Sequence, residues 1–394
     1  MRTLVGSSIF LLGVACSEPL SVDWMRQLQA PSVSTPLVTP SFIALGTELG
    51  LAIVEPNGTP RCVFQPAREV ISAPKTDGKL IFFGSTNYIF YAIDSGCNEA
   101  WKFPTGDRIK SDPLVDGKRV YLSSYDGHVY ALDAATGAQA WIFPTPPPTI
   151  IERPAPPPEP EPEPKSAKTK KKTKGKAEPE PPPPPPTPAP VLRAIKVGDF
   201  SYSSPAIAGG VLYVGNLDHN LYAIDAQSGA LRGQFATDGP VTSSPVVANN
   251  TVYFGSNDGN LYAVDLASNS LRWKFMTKDW VNSSPRVADG VIYIGSNDRH
   301  VYAVDAGKGE LKWAFATDGP AISIPAVYKN LVFAAGGSGD GAVYALQRAD
   351  GALFWKHKTD GKIESDLVVQ DDNLFVSSTD ATLTAFSIRK TTAE

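Results

Sequence analysis

The sequence predicts an all-β fold, an eight-bladed β-propeller whose blades are four-stranded antiparallel sheets. Three observations lead to this prediction. A segment of about forty residues recurs along the chain, so that residues 244–275 and 284–315 are near copies of each other. Each copy contains four short runs of β-forming residues. The runs are separated by Asn, Asp and Gly residues that favour turns, and serial four-stranded units of this kind are typical of a propeller.

Eight copies align on the residue that opens each one. The opening residue is proline in seven copies and leucine in the last: Pro36, Pro74, Pro113, Pro205, Pro245, Pro285, Pro325 and Leu367. Neighbouring opening residues are 38–42 positions apart, except that Pro113 and Pro205 are 92 apart. The long interval is interpreted as an ordinary copy that carries an insert.

The strands of one copy can be placed individually. In the fifth copy they are predicted at 245–248, 252–255, 261–264 and 271–275. Asp258 and Gly259 separate the second run from the third, and an Asp-Gly pair favours a tight hairpin because both turn residues need positive φ.

The two ends of the repeat complement each other. The last copy stops near Ser387, before its fourth strand, whereas Trp24 lies twelve residues before Pro36, the spacing at which Trp273 precedes Pro285. We therefore expect the N-terminal segment to supply the outer strand of the last blade, which closes the ring and removes an exposed sheet edge.

A tryptophan follows the Ala-x-Asp sequence of most copies at a nearly constant distance. Residues 131–141, ALDAATGAQAW, match position by position the motif A-x-D-x-x-T-G-x-x-x-W. This motif resembles the tryptophan-docking motif of PQQ-type quinoprotein propellers, and the resemblance covers most of residues 22–387. It implies that the indole rings pack between neighbouring blades, where large buried rings are stabilising. The tryptophans concerned are Trp24, Trp101, Trp141, Trp273, Trp313 and Trp355.

Two cysteines occupy positions that this docking would bring together. Cys62 stands at the tryptophan position of the first blade, and Cys97 lies in the last turn of the second. In an oxidising compartment the pair is expected to form a disulfide. The alternative is two free, buried thiols.

The N-terminus has the features of an export signal, expected over residues 1–15: a basic residue, a short apolar run and small residues before Cys16. Residues 12–16, LGVAC, resemble a bacterial lipobox, although Gly13 departs from its pattern. The resemblance implies that Cys16 is lipidated and that the protein is held on the periplasmic side of the outer membrane. The alternative is secretion after cleavage at Ala15. No other segment is expected to span a membrane.

Residues 144–193 form the insert between the third and fourth blades. It is rich in proline and glutamate, with a lysine-rich centre at 165–176. Such a segment cannot form a core and is expected to be disordered and extended. Anionic lipid or acidic cell-wall polymer is the partner expected for its basic centre, and a solvated spacer without a partner is the alternative. The predicted organisation is a signal peptide (1–15), propeller segments (16–143 and 194–388), the insert and a C-terminal tail (389–394).

Composition and motifs favour a protein without enzymatic activity. The chain has 36 basic and 40 acidic residues, so no strong field favours nucleic acid. Its three cysteines are never adjacent, and His128 and His300 recur at one repeat position in distant blades. The turn carboxylates Asp126, Asp218, Asp258, Asp298 and Asp380 are interpreted as structural. No catalytic residue, metal site or cofactor is predicted.

Residues that the repeat leaves variable are the candidates for binding. Five and three positions before the opening residue, the loops carry Arg108, Lys110, Phe200, Tyr202 and Trp280 on one predicted face. Exposed aromatic residues beside charges are typical of protein-binding surfaces. Local packing of the loops is the alternative.

The export and lipid signals, the eight minimal blades and the N-terminal closure together resemble the BamB family, the propeller subunit of the outer-membrane β-barrel assembly machinery. The resemblance implies a monomeric, non-enzymatic scaffold whose partner is an outer-membrane β-barrel assembly protein. The insert is foreign to the family's pattern. The alternatives are a propeller that binds a small ligand or polysaccharide, and a degenerate quinoprotein that binds PQQ.

Overall fold

The computed structural model describes residues 20–65, 67–144, 203–337 and 339–388, and every regular element in these ranges is a β-strand. Cys16, Phe200, Tyr202, the C-terminal tail and all of the insert except Pro144 lie outside the described residues. No helix in the described ranges is long and apolar enough to cross a membrane.

The described ranges contain thirty-two strands, which form eight antiparallel sheets of four, and each sheet is one blade. The first strand, β1 (Leu20–Gln27), belongs to the last blade. Blade 1 contains β2 (Leu37–Val38), β3 (Ile43–Thr47), β4 (Gly50–Val54) and β5 (Pro60–Phe64); blade 2 contains β6 (Lys75–Thr76), β7 (Ile81–Gly84), β8 (Ile89–Ile93) and β9 (Glu99–Pro104). Blade 3 contains β10 (Leu114–Asp116), β11 (Arg119–Ser124), β12 (His128–Asp133) and β13 (Gln139–Pro144); blade 4 contains β14 (Ala206–Ala208), β15 (Val211–Gly215), β16 (Asn220–Asp225) and β17 (Leu231–Ala236).

The second half repeats this order. Blade 5 contains β18 (Val246–Ala248), β19 (Thr251–Gly255), β20 (Asn260–Asp265) and β21 (Ser270–Met276); blade 6 contains β22 (Arg286–Ala288), β23 (Val291–Ser296), β24 (His300–Asp305) and β25 (Leu311–Ala316). Blade 7 contains β26 (Ala326–Tyr328), β27 (Leu331–Ala335), β28 (Ala342–Gln347) and β29 (Leu353–Lys358); blade 8 contains β30 (Val368–Gln370), β31 (Asn373–Ser378) and β32 (Thr382–Ile388) with β1 outside.

The N-terminal strand closes the ring, as the sequence predicts. β1 pairs antiparallel with β32 from Leu20 opposite Ile388 to Gln27 opposite Thr382. The eight-bladed propeller with N-terminal closure is therefore confirmed. The closing sheet pairs the first described strand with the last, so the last blade has its fourth strand.

The hydrophobic core is divided among the seams between blades. Eight clusters of buried side chains each join two neighbouring blades. At the closing seam, Ile43 and Leu45 of blade 1 pack with Phe375 and Leu383 of blade 8. Burial on both faces explains why the central strands read as continuous apolar runs.

A tryptophan of one blade and a glycine of the next form a lock at five seams. The pairs are Trp24 with Gly58, Trp101 with Gly137, Trp141 with Gly229, Trp273 with Gly309 and Trp313 with Gly351. A Cβ on any of these glycines would lie 2.5–2.8 Å from its nearest neighbour, which in four of the five is the indole. All five glycines have positive φ, so they meet both a conformational and a steric requirement.

Three seams depart from this lock. Cys62 and Cys97 occupy the tryptophan and glycine positions of the seam between blades 1 and 2, and they form a disulfide. Gly233 and Asn269 occupy them between blades 4 and 5, where the Asn269 amide donates to Gln234 O at 2.9 Å. At the seam with blade 8, Trp355 instead stacks on His357 and meets the edge of Phe386.

Candidate interaction face and central girdle

The upper face is defined here as the side that carries the turns between the second and third strands of each blade and the loops between blades. In most blades the turn between the second and third strands contains an aspartate. In blades 3 to 7 its carboxylate accepts a hydrogen bond from a tyrosine of the third strand. Tyr130 binds Asp126 at 2.7 Å, and Tyr302 binds Asp298 at 2.7 Å. These carboxylates therefore hold turns together, which agrees with their structural interpretation.

Trp280 presents an exposed indole on the upper face while its backbone serves the fold. Its carbonyl accepts hydrogen bonds from Asn297 N at 2.9 Å and Ser296 Oγ at 3.2 Å. The corresponding carbonyls of Pro240 and Pro320 accept equivalent backbone bonds in blades 5 and 7. The loop thus requires the carbonyl and not the side chain, and the indole is 51% exposed.

Apolar and charged residues surround this position in the chain. Met276, at the upper end of β21, is 72% exposed. Lys278, Asp279 and Arg299 are exposed in the same loop and the adjoining turn. An aromatic and a thioether side chain among mixed charges are suited to contact with a protein surface.

Arg108 and Lys110 lie on the same face but in blade 3. Their charged groups lie 5.2 and 5.3 Å from the ring centre of Tyr125, and Arg108 Nε is 3.5 Å from Asp107. Blade 3 is three blades away from blade 6, so these cations and Trp280 are separate parts of the upper face. Phe200 and Tyr202 lie outside the described residues.

A girdle of hydrogen bonds runs around the centre of the ring, at the residue just before each opening residue. At six seams the backbone N–H of one blade donates to a side-chain oxygen of the next. The bonds are Ala73 to Asp112 (2.6 Å), Asp112 to Ser204 (2.9 Å), Ser204 to Ser244 (2.9 Å), Ser244 to Ser284 (2.8 Å), Ile324 to Asp366 (2.7 Å) and Asp366 to Thr35 (3.0 Å). The bond is missing between blades 1 and 2 and between blades 6 and 7, because the residue at the acceptor position is Ala73 or Ile324, whose side chains have no acceptor.

Asp366 is the electrostatically unusual member of the girdle. Removal from water raises its pKa to about 6, and the carboxylate of Asp112 adds to the shift. The N–H of Ile324, the hydroxyl of Thr35 and the ammonium of Lys75 oppose it. Sequence reasoning missed this girdle, although a Ser, Thr or Asp before the opening residue in six of eight copies was a usable signal.

A cavity of about 630 Å³ lies between blades 3 and 4, lined by Arg119, Tyr121 and Asp225. The Arg119 guanidinium donates to the carbonyls of Ala226 and Gln227 at 2.5 and 2.8 Å, so its hydrogen bonds serve the seam. Within the described ranges, no group of three or more His, Cys, Asp or Glu side chains is placed to hold a metal ion.

Comparison with known proteins places the chain in a family. The profile of the family described as outer membrane protein assembly factor BamB matches residues 52–159, 193–268, 217–340 and 321–393. The chain belongs to the BamB family. No curated protein matches the sequence.

Several solved structures share the fold of this chain. BamB from Moraxella catarrhalis superposes with a TM-score of 0.71 at 15% identity, covering 93% of this chain and 99% of that one. The designed protein Ika8 gives 0.69 at 13% identity and covers 92% and 98%. Quinohemoprotein alcohol dehydrogenase from Comamonas testosteroni gives 0.70 at 11% identity and covers 96% and 78%.

Proposed function

We propose that this member of the BamB family is a non-enzymatic scaffold of the bacterial envelope that binds an outer-membrane β-barrel assembly protein through its upper face. The observation that supports this most directly is Trp280. The fold uses its carbonyl, accepts proline in its place in two neighbouring blades and leaves the indole exposed. A large exposed aromatic side chain that the fold does not need is the kind of residue that dominates binding energy in protein interfaces.

The proposal includes an envelope location. Cys16 becomes the lipidated first residue after removal of the export signal, which holds the monomeric propeller on the periplasmic side of the outer membrane. The basic centre of the insert binds anionic lipid or acidic cell-wall polymer. Both assignments rest on sequence features outside the described residues, together with the family relationship.

Trp280→Ala tests the binding face. We expect it to weaken partner binding by about 2 kcal/mol or more, roughly thirtyfold in Kd, with little change in thermal stability. Trp313→Ala is the matched control in the same blade, because Trp313 is 7% exposed and donates to Arg348 O at 2.9 Å. Its removal should cost about 3–5 kcal/mol of folding stability.

The two variants separate interface from core. Binding is measured by titration with the partner and stability by denaturant unfolding. If Trp280→Ala unfolds as early as Trp313→Ala, then Trp280 is part of the core, and the upper face loses its proposed anchor.

A further inference from the structure

One position on the lower rim of the ring carries an exposed valine or leucine in five of the eight blades. The position lies two residues before the tryptophan position, among the first residues of the outer strand. Val22, Leu231, Leu271, Leu311 and Leu353 occupy it in blades 4 to 8 and are each 45–52% exposed. Blades 1 to 3 carry Pro60, Glu99 and Gln139 there.

Strand register places the five side chains at one level. Leu271 pairs with Val264, Leu311 with Val304, and Val22 with Phe386, in each case at the end of the strand pair remote from the upper turns. Since each residue occupies the same position of its blade, the five lie along an arc of the lower rim that spans five consecutive blades. The fold accepts proline, glutamate or glutamine at this position, so it does not require the apolar residues.

In blades 4 to 6, charges beside the arc are paired within their own blades. Arg232 binds Asp225, Arg272 binds Asp265, and Lys312 lies 3.8 Å from Asp305. In blades 4 to 6 the exposed leucines are therefore flanked by charges that bind each other. Such a surface is suited to the interfacial region of a lipid bilayer.

The start of the described chain argues for a membrane as the occupant. Leu20 is 1% exposed and pairs with Ile388 at the lower end of blade 8, close to Val22. Cys16 precedes it by four residues, a span of at most about 14 Å when fully extended. A lipid on Cys16 would therefore hold the lower rim of blade 8 next to the bilayer.

We infer that the lower rim of blades 4 to 8 rests on a lipid membrane, with Val22, Leu231, Leu271, Leu311 and Leu353 in its interfacial region. The proximity step rests on the proposed lipidation of Cys16, whereas the surface itself does not. In this orientation the lower rim meets the membrane and the upper face, with Trp280, points away from it toward the proposed partner.

Chemical tethering tests the surface without relying on native lipidation. Cys62 and Cys97 are bonded to each other, so Cys16 is the one free thiol among the three cysteines. The chain beginning at Cys16 is coupled there to a maleimide lipid and bound to vesicles of phosphatidylethanolamine and phosphatidylglycerol. Amide hydrogen exchange of the coupled protein on these vesicles is compared with that of the uncoupled protein in solution.

We expect amide exchange to slow by at least about fivefold at the lower turns of blades 4 to 7 and at residues 20–22. The lower turns of blades 2 and 3, around Glu99 and Gln139, serve as internal controls and should not change. Protection spread evenly over all blades, or located on the upper face, would overturn the inference.

A combined variant tests the side chains themselves. It changes all five apolar residues to glutamine, the residue that blade 3 already carries: Val22→Gln, Leu231→Gln, Leu271→Gln, Leu311→Gln and Leu353→Gln. Protection on vesicles should be lost, while Met276→Gln with Trp280→Gln on the upper face should retain it. If the combined variant does not fold, Leu271→Gln and Leu311→Gln are tested singly for local loss of protection. Unchanged protection contradicts the inference.

Two further measurements separate membrane contact from self-association and from lipid anchoring. Sedimentation without vesicles detects self-association. If the natural chain is a dimer and the glutamine variant is a monomer, the rim binds a second copy of the chain, and the membrane inference is wrong. Labelling with a fatty acid in cells, compared with Cys16→Ser, tests the anchor alone. If the rim is protected on vesicles but Cys16 is not labelled in cells, the proposed lipidation is wrong and the membrane contact of the rim is retained. The binding test of Trp280 is independent of both results.

Discussion

Trp280 and Trp313 are neighbouring tryptophans with opposite roles. Trp313 is buried against Gly351 of the next blade, in an arrangement repeated at other seams. Trp280 is exposed in a loop whose backbone alone is repeated. Recurrence in the sequence therefore predicts core residues well, whereas the candidates for binding are the residues that occur once.

Asp366 gives the propeller a predicted dependence on pH. Its pKa in the folded protein is about 6, above the ordinary 3.8, so the fold favours the protonated form. Its contribution to stability is fully present below the ordinary pKa and is lost as the pH rises through 6, by roughly 2–3 kcal/mol for a shift of this size. Asp366→Asn keeps both an acceptor for Ile324 N–H and a donor for Thr35.

The variant should consequently be about as stable as the natural protein at pH 4 and more stable at pH 8. Unfolding in denaturant at the two pH values measures this. If Asp366→Asn is less stable at pH 8, the ionised carboxylate stabilises the girdle, and the assigned direction of the shift is wrong.

At the scale of strands and seams, the repeat predicts most of what is observed. The four strands per blade and the closing strand follow from turn residues and spacing, because Asn, Asp and Gly meet the positive φ that tight turns require. The disulfide partners could be named because Cys62 and Cys97 stand where a tryptophan and its glycine meet elsewhere. The girdle was missed because its bonds join backbone to side chain across blades, so its only trace in the sequence is the Ser, Thr or Asp that precedes six of the eight opening residues.

The seam between blades 4 and 5 lacks the tryptophan and glycine pair, and two substitutions would introduce it. Gly233 and Asn269 stand in the tryptophan and glycine positions, and Asn269 has positive φ. Gly233→Trp with Asn269→Gly should raise the free energy of unfolding by about 1–3 kcal/mol, because it buries an indole and removes a side chain from a left-handed turn.

Gly233→Trp alone is the control, since Asn269 then occupies the space that the ring needs. Denaturant unfolding compares the three proteins. A double variant no more stable than the single one would show that the seam does not use the tryptophan and glycine lock.

At the scale of the whole molecule, the propeller should fold independently of the insert. β13 and β14, which flank it, each belong to complete sheets. Removal of residues 146–188 shortens one loop, and loop length has a small effect on closure entropy. We expect the melting temperature to change by no more than about 3 °C. A larger fall in thermal melting would show that the insert packs on the propeller.

Sequence therefore predicts the ring far better than its partner surfaces. Trp280 was identified as variable, but its distance of three blades from Arg108 and Lys110 emerges only when blades are placed around a ring. The apolar arc on the lower rim likewise requires the strand register, because four of its members are about forty residues apart and Val22 lies in the N-terminal strand.

Affinity purification from the native envelope tests the central claim most directly. The tagged chain is crosslinked in cells, purified and analysed by mass spectrometry, with Trp280→Ala as the matched control. We predict that an outer-membrane β-barrel assembly protein is recovered with the natural chain and is depleted with the variant. Recovery of no such barrel, together with saturable binding of PQQ and calcium by the purified protein, would contradict a scaffold and favour a quinoprotein.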